Sequence, residues 1–215
     1  MRINRYIALA TGMSRRKADI ALKNNQVKIN NRTASITDLV SEDDKVTINN
    51  NVITIPKTLT IMLNKPTGYV CSRTGQGSKT IYDLLPKKFH NLKPIGRLDK
   101  NSSGLLLLTN DGELAYKLTH PKFQKIKIYH IQLDKPLTQK DQNQLVEGVM
   151  LEDGISKLQI NGENTDWQIT ISEGRNRQIR RTFSALGYTV IKLHRTKFGP
   201  YSLPEKLKAG EFQII

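Results

Sequence analysis

The chain has 215 residues and a formal net charge of +15, from 34 Lys and Arg against 19 Asp and Glu, so a polyanionic partner is expected, nucleic acid first. No apolar run reaches the roughly 18 residues of a membrane span, and the amino terminus lacks the apolar core of a signal peptide. One cysteine, Cys71, excludes an internal disulfide framework and fits a reducing compartment, so a cytoplasmic protein without membrane association is expected.

Asn4–Ala10 reads as a short helix and Arg15–Lys23 as a second, with Ser14 as its N-cap. Ile7, Ala10, Ala18, Ala21 and Leu22 form their apolar side. Arg15, Arg16 and Lys17 crowd the first turn of the second helix, where the helix dipole disfavours cations. A surface that bears this electrostatic cost suits phosphate. Strands follow at Val27–Ile29, Lys45–Ile48 and Val52–Ile55. Asn30-Asn31 and Asn49-Asn50-Asn51 serve as turns, because Asn tolerates positive φ. Ile55–Leu59, with Pro56 and Lys57, reads as a linker. The chain therefore divides into a small module at 1–58 and a larger domain at 59–215.

In the larger domain, Thr60–Asn64 and Tyr69–Ser72 read as strands around a Lys65-Pro66-Thr67-Gly68 turn, with Cys71 packed in the second strand. A Gly- and Ser-rich loop, Arg73–Lys79, leads to a short helix ending near Leu85-Pro86. Leu105–Thr109 is a buried strand, and Asn110-Asp111-Gly112 turns the chain into a helix at Glu113–Leu118. Lys127–Leu133 alternates as a strand, and Thr138 caps a helix running to Glu147. Ser156–Asn161 and Trp167–Ser172 form an antiparallel pair. A helix at Asn176–Leu186 closes on Gly187, and Thr189–Phe198 returns as a strand. Strands and helices at irregular intervals define an α+β domain rather than repeated βαβ units.

Chemistry concentrates in residues 96–104, Gly-Arg-Leu-Asp-Lys-Asn-Ser-Ser-Gly, just ahead of Leu105–Leu108. Asp99 lies beside Arg97 and Lys100 in a loop anchored by that buried strand. Neighbouring cations favour an ionised carboxylate, placed to act as nucleophile or base on a polyanion; otherwise it is a surface ion pair. Tyr129 offers a ring for a base face, or fills core. Arg175, Arg177, Arg180 and Arg181 gather at a helix start, where Arg177 shares a face with Arg180 and Arg181 by its spacing. One of them is placed to hold Asp99 ionised while the others grip phosphate. His90, His120, His130 and His194 are scattered, and no phosphate-binding loop, dinucleotide fingerprint or carboxylate cluster appears. A reaction centred on one acid, without metal or cofactor, remains.

MRINRYIA, MSRRKAD and VKINNRTA resemble the S4 RNA-binding domain, with Asn25-Gln26-Val27 and Asn30-Asn31 replacing the usual Gly-Arg-Val and Asn-Gly. That resemblance implies RNA contacts from Arg2, Arg5, Ser14, Arg15, Arg16 and Lys17. MLNKPTGYVCS, GRLDKNSSGLLLLTNDGELAYKLTHP, KIYHIQL and ISEGRNRQIRRTFSALGYTVIKLHR resemble the S4-bearing ribosomal RNA pseudouridine synthases. The resemblance implies Asp99 as the catalytic aspartate, Tyr129 as the active-site tyrosine and Arg180 as the basic partner that pairs with Asp99. It also implies Arg97 as the residue that helps displace the target base, with Arg175, Arg177 and Arg181 on RNA. The implied fold has a central mixed, largely antiparallel sheet, flanking helices and a cleft. The implied reaction is site-specific isomerisation of uridine in ribosomal RNA or a precursor particle, leaning to the large subunit, by a monomer. A non-catalytic ribosome assembly factor using the same basic surfaces is the alternative, and a base-releasing glycosidase is a third reading.

Overall fold

The Ser14 hydroxyl accepts the Lys17 amide at 3.2 Å and so caps α2 (Arg15–Lys23). The helix before it, α1 (Ile3–Thr11), ends on Gly12 at φ 76°, a left-handed geometry that glycine adopts freely. The computed structural model describes residues 1–215 and divides into two units, Met1–Leu59 and Thr60–Ile215. In the first unit, β1 (Val27–Ile29), β2 (Arg32–Thr33), β3 (Val46–Ile48) and β4 (Asn51–Val52) pair in the order β2-β1-β3-β4. Asn30, Asn31, Asn49 and Asn50 all take positive φ in its turns. Ile3, Ile7, Ala18, Leu22, Val27 and Val46 close the core beneath this sheet, whereas Ala10 is only half-buried. Arg15, Arg16 and Lys17 are exposed.

The second unit is built on a nine-stranded sheet. Seven form a row: β5 (Thr60–Lys65), β6 (Ser103–Thr109), β7 (Lys127–Leu133), β8 (Gln159–Glu163), β9 (Asp166–Ile171), β10 (Val190–Phe198) and β11 (Phe212–Ile214). Their order is β8-β9-β7-β10-β6-β5-β11, with Lys93–Pro94 added beside β6 and Tyr201–Ser202 beside β10. Every pairing is antiparallel except β6 with β10. β6 lies between β10 and β5, and Leu105–Leu108 are wholly buried, which explains an unbroken apolar run where half-exposed strands alternate. Flanking it are α3 (Gly112–Thr119), capped by the Asp111 carboxylate, α4 (Gln139–Glu147), capped by Thr138, and α5 (Gln178–Ala185). The result is a mixed, largely antiparallel α+β fold. No helix is long and apolar enough to cross a membrane.

Several expectations are corrected, among them the strand expected at Val52–Ile55, which is only Asn51–Val52. Tyr69–Ser72 is not a strand; only Val70 forms a bridge, to Thr80, because Cys71 turns its thiol onto Leu98, donating to the carbonyl at 3.3 Å and accepting the amide at 3.4 Å. Ser156 leaves the predicted Ser156–Asn161 strand for a hairpin of Gly154–Ser156 with Val149–Leu151, and pairing with β9 begins at Gln159. The helix predicted from Asn176 starts at Gln178, since Arg177 is its N-cap in a left-handed conformation, φ 47°. Arg177 therefore lies outside the helix and does not share a helical face with Arg180 and Arg181.

Candidate active site

The loop Gly96–Ser102 carries Asp99 from the short strand Lys93–Pro94 into β6, and Gly96 at φ 69° permits its first turn. Backbone contacts fix this loop from several sides. Lys65, at 0 % exposure, extends its ammonium from the end of β5 to the carbonyls of Pro66, Asp99 and Ser102 at 3.1, 3.0 and 2.7 Å. Burial pushes the Lys65 ammonium below its ordinary pKa, while the charge of Asp99 favours its protonated form. The Gly68 amide donates to Lys100 O at 2.8 Å, and the Ser102 amide to Asp99 O at 3.0 Å. Burial also raises the Cys71 thiol pKa, so it acts here as a neutral partner of the Leu98 backbone. The result is a loop whose backbone is held from several sides, with the Asp99 side chain projecting from it.

That carboxylate opens on a cavity of about 400 Å³, within the range of small-ligand sites. Arg97, Asp99, Lys127, Tyr129, Arg177 and Arg195 are among its lining residues. Tyr129, on β7, is 8 % exposed and offers its ring as wall. The guanidinium that reaches Asp99 is that of Arg177, Nη1 to Oδ2 at 3.6 Å, with side chains 47 % and 37 % exposed. A solvent-open pair of that length contributes about 0–1 kcal/mol, so it orients the carboxylate more than it stabilises the fold. A left-handed arginine costs roughly 1–2 kcal/mol, and strain of this kind gathers at functional sites.

Arg180 behaves differently from its sequence expectation as the partner of Asp99. Its guanidinium donates to the carbonyls of Val190 and, at 2.8 Å, Asn101. It therefore ties α5 to the backbone of the Asp99 loop and to β10. Burial pushes its pKa down, repulsion from Arg177 adds to that, and the charge of Asp99 opposes it. Arg175 donates to Asp153 Oδ1 and the Asp153, Gly154 and Ile155 backbone carbonyls, and Arg181 pairs with Asp153 Oδ2 at 2.7 Å. Gln178 adds a contact to Glu173. Arg175 and Arg181 thus staple the Val149–Ser156 hairpin to the arginine loop, and Arg97 remains exposed at the pocket rim. Arg2, Arg5, Ser14, Arg15, Arg16 and Lys17 all lie in the first unit, where Arg2 and the Ser14–Lys17 stretch are exposed and Arg5 half-buried.

Sequence reasoning missed Lys65, Lys127 and Arg195. The available signal was a cation at the end of TIMLNK, at the start of KIYHIQL and inside VIKLHRTKF, three apolar or alternating strands.

A nucleotide-sized, cation-rimmed pocket onto which the Asp99 carboxylate opens, on a largely antiparallel sheet, fits the class of enzymes that modify nucleic acid. Residues 59–185 match the family described as RNA pseudouridylate synthase, and the chain belongs to that family. It is 39% identical to the ribosomal large subunit pseudouridine synthase B of Buchnera aphidicola, over 92% of this chain and 86% of that one. It is 35% identical to the ribosomal small subunit pseudouridine synthase A of Haemophilus influenzae, over 100% and 96%. A crystal structure of a pseudouridylate synthase superposes at TM-score 0.73, with 33% identity and 100% and 96% coverage.

Proposed function

We propose that this pseudouridine synthase isomerises a uridine of ribosomal RNA, with Asp99 as the reacting carboxylate. The observation that carries the reading is Asp99 itself, held by its own backbone at the mouth of the 400 Å³ cavity with Tyr129 in the wall and Arg177 at 3.6 Å. Pseudouridine formation breaks the C1′–N1 bond, turns the uracil and joins C5 to C1′. The electron pair of the broken bond leaves with uracil and returns in the new C–C bond, and the proton lost from C5 is balanced by one gained at N1. Asp99 starts this at the ribose, by attacking C1′ or by removing a sugar proton. The target must leave its stack to enter such a pocket, and Arg97 at the rim is placed to fill the gap it leaves. Tyr129 then supports the freed ring.

The first unit serves as the S4-like RNA grip, through Arg2, Arg5, Ser14, Arg15, Arg16 and Lys17. Relatives named for each ribosomal subunit resemble this chain at similar identity. The large-subunit RNA is the first substrate to test, because Thr109–Ala115 and Leu151–Gly154 resemble large-subunit-directed members, against the single segment Leu63–Ser72, which resembles small-subunit-directed ones. The enzyme works as a cytoplasmic monomer on free rRNA or an assembling particle. The test is tritium release from [5-³H]uridine rRNA by purified protein. Wild type releases tritium and Asp99→Asn does not, though it still binds RNA. Release at the wild-type rate by Asp99→Asn removes the assignment.

A further inference from the structure

Arg195, on β10, is 2 % exposed and lines the Asp99 pocket. Its Nε donates to Leu105 O at 2.8 Å, and its guanidinium lies over the Phe198 ring, 4.8 Å from the centroid. Nη2 is buried without a hydrogen-bond partner. A buried charge is ordinarily paired, because leaving it unpaired is expensive. Here the neighbour is a second cation, Lys127, whose ammonium sits over the same Phe198 ring at 5.6 Å. Burial, with repulsion from Arg195, pushes the Lys127 pKa down. An unpartnered buried donor on a residue that lines this 400 Å³ cavity leaves one hydrogen bond for an electron-rich oxygen of the ligand to complete once it is seated against the guanidinium.

Strand register says which oxygen. Arg195 lies directly opposite Tyr129 in the β10–β7 pairing and opposite Gly104 across β6. Direct cross-strand partners project from the same sheet face, with Cβ atoms about 4.5–5.5 Å apart. Gly104 contributes no side chain, and a Cβ there would meet Arg195 O at 2.2 Å. Tyr129 is thus the side chain beside Arg195 in that row. A planar base resting on the Tyr129 ring turns one of its edges to the guanidinium.

On the reading of the Asp99 pocket given above, we propose that Arg195 Nη2 donates to a carbonyl oxygen of the uracil ring, making it the residue that recognises the base and retains it while detached. When C1′–N1 breaks, its electron pair spreads from N1 onto O2 and O4. A fixed cation at either oxygen then stabilises the leaving ring more than the bound uridine, which is the direction catalysis needs.

The test compares wild type, Arg195→Met and Arg195→Lys on RNA carrying uridine, 2-thiouridine or 4-thiouridine at the target, with thermal melts of each protein. Arg195→Met melts within about 3 °C of wild type, because removing an unpaired buried charge offsets the lost Leu105 contact. Its kcat/KM falls about a hundredfold, the scale of one charge-assisted hydrogen bond. Sulfur at the contacted oxygen slows wild type about tenfold and leaves Arg195→Met unaffected, and Arg195→Lys falls between the two. Wild-type turnover by Arg195→Met, activity lost only in step with a large drop in melting temperature, or equal sulfur effects in both enzymes would each overturn the proposal. Sensitivity to a phosphorothioate instead would assign the donor to a phosphate. Asp99→Asn, run alongside, separates failure of the Asp99 assignment from failure of this one.

Discussion

Replacing Lys65 with methionine keeps the side chain's length and removes the charge that gathers the Asp99 loop. The ammonium makes three hydrogen bonds to carbonyls, to Pro66, Asp99 and Ser102. At about 1.5–3 kcal/mol for each bond to a charged donor, they sum to roughly 5–9 kcal/mol. Holding the ammonium in the dry interior opposes this by several kcal/mol, and the depressed pKa reports that same opposition. Asp99 O keeps the Ser102 amide as a partner, so the loss falls mainly on the Pro66 and Ser102 carbonyls. The net destabilisation is about 2–4 kcal/mol, a melting-temperature drop of about 5–12 °C for a protein of this size. Displacing the carboxylate by even about 1 Å costs on the order of a hundredfold in rate. Circular-dichroism melts and tritium release from [5-³H]uridine RNA read both effects. A Lys65→Met protein that melts and turns over like wild type would refute the view that this buried cation sets the loop.

Arg177→Ala and Arg180→Ala separate in the same assays. Arg177→Ala melts like wild type, since an exposed pair contributes about 0–1 kcal/mol, yet turns over slowly. Arg180→Ala loses about 1–3 kcal/mol by leaving the Val190 and Asn101 carbonyls unbonded; equal stability loss in the two variants contradicts this division. Arg15→Ala with Arg16→Ala weakens RNA binding and lowers the slope of log K against log salt by about 1.4–1.8, for two phosphates released; an unchanged slope removes these residues from the interface. His194, whose Nδ1 meets Ser103 Oγ at 2.9 Å, titrates below its ordinary value because of burial, with His130 adding to the effect. The unfolded chain then binds its proton first as pH falls, so folding stability drops below about pH 6.5. Urea melts of His194→Gln should lose part of that slope, and retention of the full slope points to other groups.

Much of the architecture was legible in the residues. Val27–Ile29 and Lys127–Leu133 have the predicted bounds because alternation and turn residues act locally, and Ser14 and Thr138 cap the helices they were expected to cap. What escaped depended on partners far along the chain. Phe212–Ile214 becomes a strand only by pairing with β5. Tyr69–Ser72 has strand composition but gives its cysteine to Leu98. Lys65 and Arg195 sit where charged residues are almost never found, and only the folded loop reveals the carbonyls that satisfy the first. The arginine cluster was visible, whereas the division of work within it was not. A single left-handed residue, Arg177, takes that side chain off the helix and toward Asp99.

The most direct measurement is a pseudouridine map of total ribosomal RNA, by carbodiimide-stop sequencing, from cells with the gene, without it, and complemented with wild type or Asp99→Asn. The account predicts a stop in ribosomal RNA that vanishes on deletion and returns with wild type but not with Asp99→Asn. A map that is unchanged by deletion, or restored equally by Asp99→Asn, would contradict it.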